Sequence, residues 1–282
     1  MQAPGADTLL LPETALAGAI LVTGTAAFAP VTIKWVRQLF PSQRLLPPTW
    51  GAPHVLLAMA LWLGFQGLVG ALVAGRGGAD AAKLPPMTVQ LVAAMAIQAT
   101  ICVVVVYWAR RRDPGGLRRL GLHGSGSVRA ACAGFVAYLF SVPGLWGLGM
   151  MWPWLMQRMG ATWAPQEIAE GIGELAGAEL TWIVALAVVV IPFCEELLFR
   201  GFLQPVFVAR VGPVAGVVLA SAVFGALHGA SQFLPIFGLA LVLGGVMLHT
   251  QRLAAVWFLH ALHNGTQLVM YTQLSESTSL LP

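Results

Sequence analysis

The charged residues best suited to chemistry stand together in one apolar stretch, residues 191–205. Glu195, Glu196 and Arg200 lie there, directly after the apolar run 180–190. A charged side chain near the centre of a bilayer costs about 2.5–3.5 kcal/mol on insertion scales, so it usually has a partner or a function. On a helix Glu196 and Arg200 share a face and can pair, whereas Glu195 points about 100° away. We therefore expect Glu196 and Arg200 to support each other and Glu195 to take part in chemistry.

Two further pairs of residues follow at helical spacing in later apolar segments. Phe224 and His228 are four residues apart, as are His260 and Asn264, so each pair lies on one face of a helix. A lone histidine in a membrane is often only a hydrogen-bonding partner between helices. Carboxylates, imidazoles, an amide and a guanidinium concentrated on three segments instead predict a polar cavity inside a helical bundle.

These groups could hydrolyse an amide bond by either of two routes. In the first, Glu195 acts as a general base toward water, and an imidazole shares the proton transfer. A second imidazole and an asparagine amide are suitable donors for an oxyanion, where one donor is worth about 2.7–4 kcal/mol. In the second route, Glu195, His228 and His260 bind a divalent metal such as zinc, which activates the water. The residues leave both routes open.

Composition indicates the class of protein that holds these groups. The 282 residues are 58% hydrophobic and 9% charged, whereas a soluble domain is about 25% charged. This composition predicts a membrane protein with several spans. The net charge of +4 does not indicate nucleic-acid binding, because the 15 basic residues lie mostly in short connections between apolar runs, where they set orientation. The three cysteines have no CxxC spacing and favour neither a disulfide framework nor a zinc knuckle.

Eight apolar segments are long enough, or nearly so, to cross a bilayer, since about 20 residues span its core. They fall at 14–33, 52–75, 86–109, 129–156, 179–205, 213–229, 234–250 and 253–272. The predicted fold is an all-α, polytopic membrane bundle of about eight transmembrane helices that enclose a polar cavity. We divide the chain into 1–125, with three spans and a basic loop, and 126–282, a five-helix region whose motifs lie within 179–270. A short amphipathic helix on the membrane surface is expected within 157–179.

The basic residues are shared unequally between alternate connections. One side has three, Arg76, Lys83 and Arg158, and the other has twelve. The twelve are Lys34, Arg37, Arg44, Arg110, Arg111, Arg112, Arg118, Arg119, Arg129, Arg200, Arg210 and Arg252. By the positive-inside rule the second side is cytoplasmic. We therefore expect a multi-pass protein of the cell membrane, in a bacterium the inner membrane. Its expected partners are the lipid bilayer and a peptide or protein substrate at the membrane, and no nucleic acid is expected.

Three motifs in order resemble the CPBP family of intramembrane proteases. They are Glu195-Glu196-x-x-x-Arg200, Phe224-x-x-x-His228 and His260-x-x-x-Asn264. That family includes type II CAAX prenyl endopeptidases, bacteriocin-processing and self-immunity proteins, and abortive-infection (Abi) proteins. The resemblance covers about residues 179–270, and it implies an eight-helix bundle around a cavity.

The resemblance also implies a role for each motif residue. Glu195 would be the general base, with His228 sharing the proton transfer, and His260 and Asn264 would stabilise the oxyanion. The supporting residues would be Glu196, Arg200 and Phe224. The resemblance leaves the participation of a metal open, and a metal such as zinc would have Glu195, His228 and His260 as ligands.

The predicted function is therefore an intramembrane endopeptidase that acts on a membrane-associated peptide or protein. Two alternatives stay open. A non-proteolytic scaffold or immunity protein would keep its cellular effect in a Glu195→Ala variant. A proton-coupled transporter would use glutamate and histidine as a relay, but it should also show polar residues along a pore and an inverted repeat, and neither is evident in this sequence.

The depth of two segments is a further open question at this point. Glu195 and His228 can meet only if the fifth segment continues through about Val206, or if the sixth segment tilts and stops short of the outer face. Pro192 and Gly201 permit a bend in the fifth segment.

Overall fold

The computed structural model describes residues 12–40, 47–74, 87–124, 126–162 and 177–279, and no β-strand occurs among them. Its helices run antiparallel or crossed through a bundle, with a short 3₁₀ turn at Ala230–Gln232. They are α1 (Pro12–Leu39), α2 (Ala52–Ala74), α3 (Met87–Arg112), α4 (Gly116–Arg119), α5 (Ser127–Arg158), α6 (177–211), α7 (Pro213–Leu227), α8 (Phe233–Thr250) and α9 (Leu253–Ser279).

Each of the eight predicted segments coincides with one of these helices to within a few residues, and α4 is an additional helix inside a connection. Within the part of the chain that the structure describes, four helical stretches are long and apolar enough to cross a membrane: Pro12–Gln38, Ser127–Arg158, Leu180–Val211 and Ala230–Thr250. Two shorter apolar helices, Ala52–Leu68 and Pro213–Leu227, accompany them. The predicted fold class, a helical membrane bundle, is confirmed. The count of eight spans stays a prediction, and most of the amphipathic helix expected within 157–179 lies outside the described residues.

Helix α5 organises the packing, because α1, α8 and α9 all lie against it. Its contact with α9 is close at Gly134, where a Cβ atom would lie 2.1 Å from the carbonyl oxygen of Ala255. Small residues let helices approach closely in a membrane, where dispersion contacts rather than the hydrophobic effect drive helix association. The α5–α9 contact positions α9, which carries His260 and Asn264.

We predict that Gly134→Ala destabilises the protein by about 1–3 kcal/mol, the usual cost of overpacking. The added methyl group would meet backbone on α9, which cannot rotate away as a side chain can. Gly149→Ala in the same helix is the matched control, since a Cβ there would meet nothing within 4 Å. Thermal unfolding of the detergent-solubilised variants measures the difference. Equal transition temperatures for the two variants would contradict the prediction.

The connections that carry most of the basic residues meet at one end of the bundle. Arg119 in α4 donates to the carbonyl oxygen of Pro47 before α2. The amide of Leu253, where α9 begins, donates to the carbonyl oxygen of Gly121 at 3.0 Å. Gly121 has a φ of +83°, and a Cβ atom there would lie 2.8 Å from the Leu253 nitrogen, so glycine is required on both grounds. We call this the basic end, and it is the end that the positive-inside rule makes cytoplasmic.

One residue of that charge count is placed differently by the structure. Arg200 was counted with the connections, but it lies inside α6 and is only 2% exposed. Its charge is paired with Glu196 within the bundle, so it does not act as an orientation signal. Of the other eleven basic residues assigned to this side, ten lie in or near connections, and Arg44 is outside the described residues.

His123, between α4 and α5 at the basic end, gives a pH prediction. Burial, followed by the charges of Arg252 and Arg118, lowers the pKa of His123 below its ordinary value. As the pH falls, the unfolded chain therefore binds a proton at this residue before the folded chain does. The stabilisation is fully present above about pH 6.5 and decreases as the pH falls from there toward the folded pKa.

The measurement is thermal unfolding at about pH 7.5 and pH 5.5, on either side of the ordinary histidine pKa. Wild-type protein should lose more stability over this interval than a His123→Gln variant, which cannot titrate at this position. Identical losses in the two proteins would contradict the prediction.

Candidate active site

Helix α6 carries both glutamates, and its winding changes on either side of them. The stretches Leu186–Val190 and Leu197–Leu203 are π-helical, and the α-helical stretch Ile191–Glu196 lies between them. π-Helical turns are rare and occur often at functional sites, because they rotate the side chains that follow and free backbone groups. The sequence predicts a regular helix for this segment, so neither π-helical stretch was expected.

A proline follows closely after each π-helical stretch and accounts for the winding. Pro192 and Pro205 have no N–H to donate. The amide of Ile191 donates to the carbonyl oxygen of Leu186, five residues earlier. In the same register the carbonyl oxygen of Ala187 would need an N–H at position 192, where the proline has none. The carbonyl oxygen of Ala187 must therefore accept a hydrogen bond from another group.

Side chains from other parts of the bundle supply such groups. An amide or indole N–H that donates to a freed carbonyl compensates for the lost helical bond. Asn264 Nδ2 donates to the freed carbonyl oxygen of Ala187 at 2.9 Å. Among the described residues, two indoles also donate to carbonyl oxygens of the π-helical stretches: Trp257 Nε1 to Val189 O at 2.9 Å, and Trp50 Nε1 to Phe202 O at 2.8 Å. The predicted site residue Asn264 thus binds the backbone just before the two glutamates.

Glu196 lies at the centre of a buried charge cluster. Its side chain is fully buried, and its Oε1 accepts hydrogen bonds from Arg200 Nη1 at 3.1 Å and from His260 Nδ1 at 2.8 Å. The guanidinium carbon of Arg200 lies 4.3 Å from the ring centroid of Phe224, a cation–π contact. The structure therefore contains the Glu196–Arg200 pair expected from the sequence. It adds His260, which the sequence did not connect with Glu196.

Glu195 occupies a different position from Glu196. Its side chain is 12% exposed, and its Oε2 lies 3.8 Å from His260 Nε2. The imidazole of His260 thus lies between two carboxylates, with Nδ1 bound to Glu196 and Nε2 facing Glu195. An ionised carboxylate can only accept a hydrogen bond, so Nδ1 of His260 carries a proton. Of the two glutamates, Glu195 is the one that an incoming molecule can reach.

Phe224 connects His228 to this cluster. His228 directly follows α7, and its Nδ1 donates to the carbonyl oxygen of Phe224 at 2.8 Å. Because a carbonyl oxygen only accepts, Nδ1 carries a proton, and a neutral ring then keeps the lone pair of Nε2 available. The ring of Phe224 lies 4.6 Å from the ring of His228 and 6.1 Å from that of His260, measured between centroids. Phe224 therefore separates and orients the two imidazoles.

The structure has the first of the two arrangements that would bring Glu195 and His228 to one depth. The helical run of α6 continues past Val206 to residue 211. Phe199 on α6 packs edge-on against Phe224 on α7, with centroids 4.8 Å apart. Glu195 lies one turn before Phe199, and His228 lies one turn after Phe224 on the helix that returns. The two residues therefore share one level of the bundle.

A metal centre is not formed by the residues that the sequence offered for one. Among the described residues, which include Glu195, His228 and His260, no group of three or more histidine, cysteine or acidic side chains is arranged to hold a metal ion. Participation of a metal, which the sequence left open, stays an expectation, and the proposed function has no step that passes through a metal.

Several residues that position the site were missed by sequence reasoning. Trp50, just before α2, stacks on Phe202 with ring centroids 5.0 Å apart. Trp108 on α3 also stacks on Phe202, with centroids 6.2 Å apart, so both tryptophans support the second π-helical stretch. Gln204, one turn after Arg200, is buried and donates to the carbonyl oxygen of Gly244 at 3.1 Å. Pro192 was the available signal for Asn264, because it leaves the carbonyl oxygen of Ala187 in need of a side-chain donor from elsewhere.

Comparison with known proteins supports the assignment made from the motifs. Residues 177–266, about a third of the chain, match the family model described as type II CAAX prenyl endopeptidase Rce1-like. Neither the curated proteins nor the solved structures gave a match. The matched range contains the two glutamates, the Phe224–His228 motif and the His260–Asn264 motif. The resemblance predicted from these motifs is confirmed, since residues 177–266 are similar to the Rce1-like type II CAAX prenyl endopeptidases.

Proposed function

We propose that the protein is an intramembrane endopeptidase that hydrolyses a peptide bond of a membrane-associated peptide or protein. The observation that carries this proposal is the position of His260 between Glu195 and Glu196. Phe224 connects His228 to this cluster. The match to a protease family supports the same conclusion. The finer assignments below are our proposal for how these groups act.

Glu195 is the general base of this proposal. Glu196 is unsuited to that role, because its Oε1 is already engaged by Arg200 and His260 in a fully buried position. Glu195 is partly exposed and can bind the attacking water. It takes the proton of that water as the oxygen attacks the carbonyl carbon, which gives a tetrahedral intermediate. General base catalysis of this kind contributes about 10²–10⁴-fold to a rate.

His228 shares the proton transfer in this scheme. Its Nδ1 is committed to the carbonyl oxygen of Phe224, so Nε2 is the nitrogen that accepts and returns a proton. Glu195 passes the proton that it took from water to Nε2 of His228. When the tetrahedral intermediate collapses, the carbon–nitrogen bond breaks and the leaving amine takes this proton from Nε2. The proton removed from water is thus returned to the leaving group, and both groups end in their starting states.

Asn264 and His260 serve as the oxyanion donors. The Nδ2 atom of Asn264 has two hydrogens, and only one is used by the carbonyl oxygen of Ala187. The second can point to an oxyanion. His260 can donate from Nε2 only when it also keeps its proton on Nδ1, and the resulting positive charge would lie between Glu195 and Glu196.

Comparison of membrane peptides in cells tests the proposed function. Cells that carry wild-type protein should contain cleavage products that are absent from cells that carry Glu195→Gln. Glu13→Gln is the matched control, because Glu13 is an exposed glutamate on α1. Candidate peptides from this comparison are then offered to purified protein with and without a prenyl group. Identical peptide profiles in wild-type and Glu195→Gln cells would overturn the proposal.

The orientation of the protein in the membrane is also a proposal. We infer a multi-pass protein of the cell membrane whose basic end faces the cytoplasm, in a bacterium the inner membrane. The basic residues at that end and the four long apolar helices support this inference. Reporter fusions after Gly121 and after Gly160 test it, since they should lie on opposite sides of the membrane. Reporters on the same side would overturn it.

A further inference from the structure

A cavity of about 210 Å³ opens among the connections at the basic end of the bundle. It runs along α6 from the surface toward the charge cluster, because the exposed Ala209 and the buried Gln204 both line it. Its lining includes the side chains of Arg119, Arg200, Gln204, Val208, Ala209 and Met247.

Two buried polar side chains that line this cavity have part of their hydrogen-bonding capacity unused. Arg200 and Gln204 are 2% and 3% exposed. Arg200 Nη1 binds Glu196, and Gln204 Nε2 binds the carbonyl oxygen of Gly244. Arg200 Nη2 and Gln204 Oε1, however, have no hydrogen-bonding partner among the described residues. A buried donor or acceptor without a partner costs about 1–3 kcal/mol, so both atoms favour a partner inside the cavity.

The charge and size of the cavity indicate the nature of that partner. Both guanidinium groups in its wall are already paired, Arg200 with Glu196 and Arg119 with Asp113. No excess charge is left to hold an ion. One free donor and one free acceptor instead suit a small neutral molecule that can do both. Water has this property and occupies about 30 Å³ in the liquid, so the cavity has room for several molecules.

We propose that this cavity is a water-filled passage from the basic end to the buried charge cluster, with Arg200 Nη2 and Gln204 Oε1 holding its innermost water. The guanidinium of Arg200 lies between the passage and Glu196, and Glu196 in turn binds His260. Hydrolysis consumes one water for each bond that is broken, and the surrounding bundle is apolar. The passage therefore supplies water to the site. This use of the water rests on the proposed function, whereas the presence of water does not.

X-ray hydroxyl-radical labelling in ¹⁸O-labelled water tests the passage on the intact, detergent-solubilised protein. Met247 lines the cavity but is only 3% exposed, so bulk water does not reach it directly. Radicals formed from water in the passage should convert Met247 to its sulfoxide with ¹⁸O, which mass spectrometry detects. Failure of Met247 to take up ¹⁸O would overturn the proposal, whatever the activity of the protein.

Substitutions that fill the passage provide the matched comparison. Ala209→Trp at the mouth and Val208→Trp deeper inside should each lower the ¹⁸O labelling of Met247 several-fold. Val218→Trp is the control, because Val218 is 41% exposed on α7 and does not line the cavity. Because Ala209 is exposed, Ala209→Trp is expected to fold, and it still tests the proposal if Val208→Trp does not fold. Equal labelling of Met247 in Ala209→Trp, Val218→Trp and wild-type protein would overturn the proposal.

The rate of peptide hydrolysis by the same variants decides whether water from the passage is the water that hydrolysis consumes. In Ala209→Trp, kcat should fall by about tenfold, equivalent to about 1.4 kcal/mol, while KM changes little because the cavity lies behind the charge cluster. Reduced labelling with unchanged kcat would show that catalytic water enters elsewhere and would overturn the supply role. If the wild-type protein cleaves no peptide at all, the proposed function fails, and the labelling of Met247 still decides whether the passage holds water.

Discussion

Replacing Arg200 by methionine is expected to lower the free energy of unfolding by about 3–5 kcal/mol. The substitution leaves Glu196 fully buried without its ion-pair partner, and the remaining bond to His260 cannot replace the lost charge. The contact between the guanidinium and the ring of Phe224 is lost as well. Since a folded domain is stable by about 5–15 kcal/mol in total, much of the variant should fail to accumulate in the membrane. Denaturant titration of the purified protein measures the loss.

A double variant separates the broken pair from the lost volume. Glu196→Leu combined with Arg200→Met removes both charges and fills a similar space with apolar atoms. Replacement of a buried ion pair in this way is often neutral or stabilising, so the double variant should be more stable than Arg200→Met alone. If the double variant is as unstable as the single one, the damage comes from packing and not from the unpaired glutamate.

Much of this site follows from helical spacing alone. The four-residue separations in the sequence place Glu196 with Arg200, Phe224 with His228, and His260 with Asn264 on shared faces. The first two pairs are in contact in the structure. Helical spacing depends only on local backbone geometry, so it can be read from the chain before any packing is known. The apolar lengths of the spans are local in the same sense, and their bounds agree with the helices to within a few residues.

The bond between His260 and Glu196 could not be predicted in this way. It joins residues 64 apart, and it depends on how α9 is rotated against α6. That rotation is set by the close contact of Gly134 with Ala255 and by the side-chain bonds of α9 to the first π-helical stretch. Neither the close helix contact nor these side-chain bonds produce a repeating pattern of residues that the sequence would reveal. The consequence is that His260, which the sequence placed only with the oxyanion donors, also orients and is oriented by the buried carboxylate.

Replacing Glu195 by glutamine is expected to lower kcat/KM by about 10²–10⁴-fold, the usual contribution of a general base. The fold should be retained, because Glu195 is partly exposed and lies 3.8 Å from its neighbour His260, whereas Glu196 carries the buried bonds. Purified protein in nanodiscs and a peptide found in the cellular comparison provide the assay, with unfolding temperature as the check on folding. A Glu195→Gln variant that cleaves as fast as wild-type protein would remove Glu195 from the mechanism.

The combination of Glu195→Gln with His228→Gln asks whether the two residues move the same proton. Residues that act as one unit have strongly non-additive effects, so the double variant should be about as slow as the slower single variant. If the two groups act on separate steps, their losses should multiply instead. The shared level of the two residues, set by the packing of Phe199 against Phe224, favours the first outcome. A multiplied loss would move His228 to a separate step and leave Glu195 as the base that acts without it.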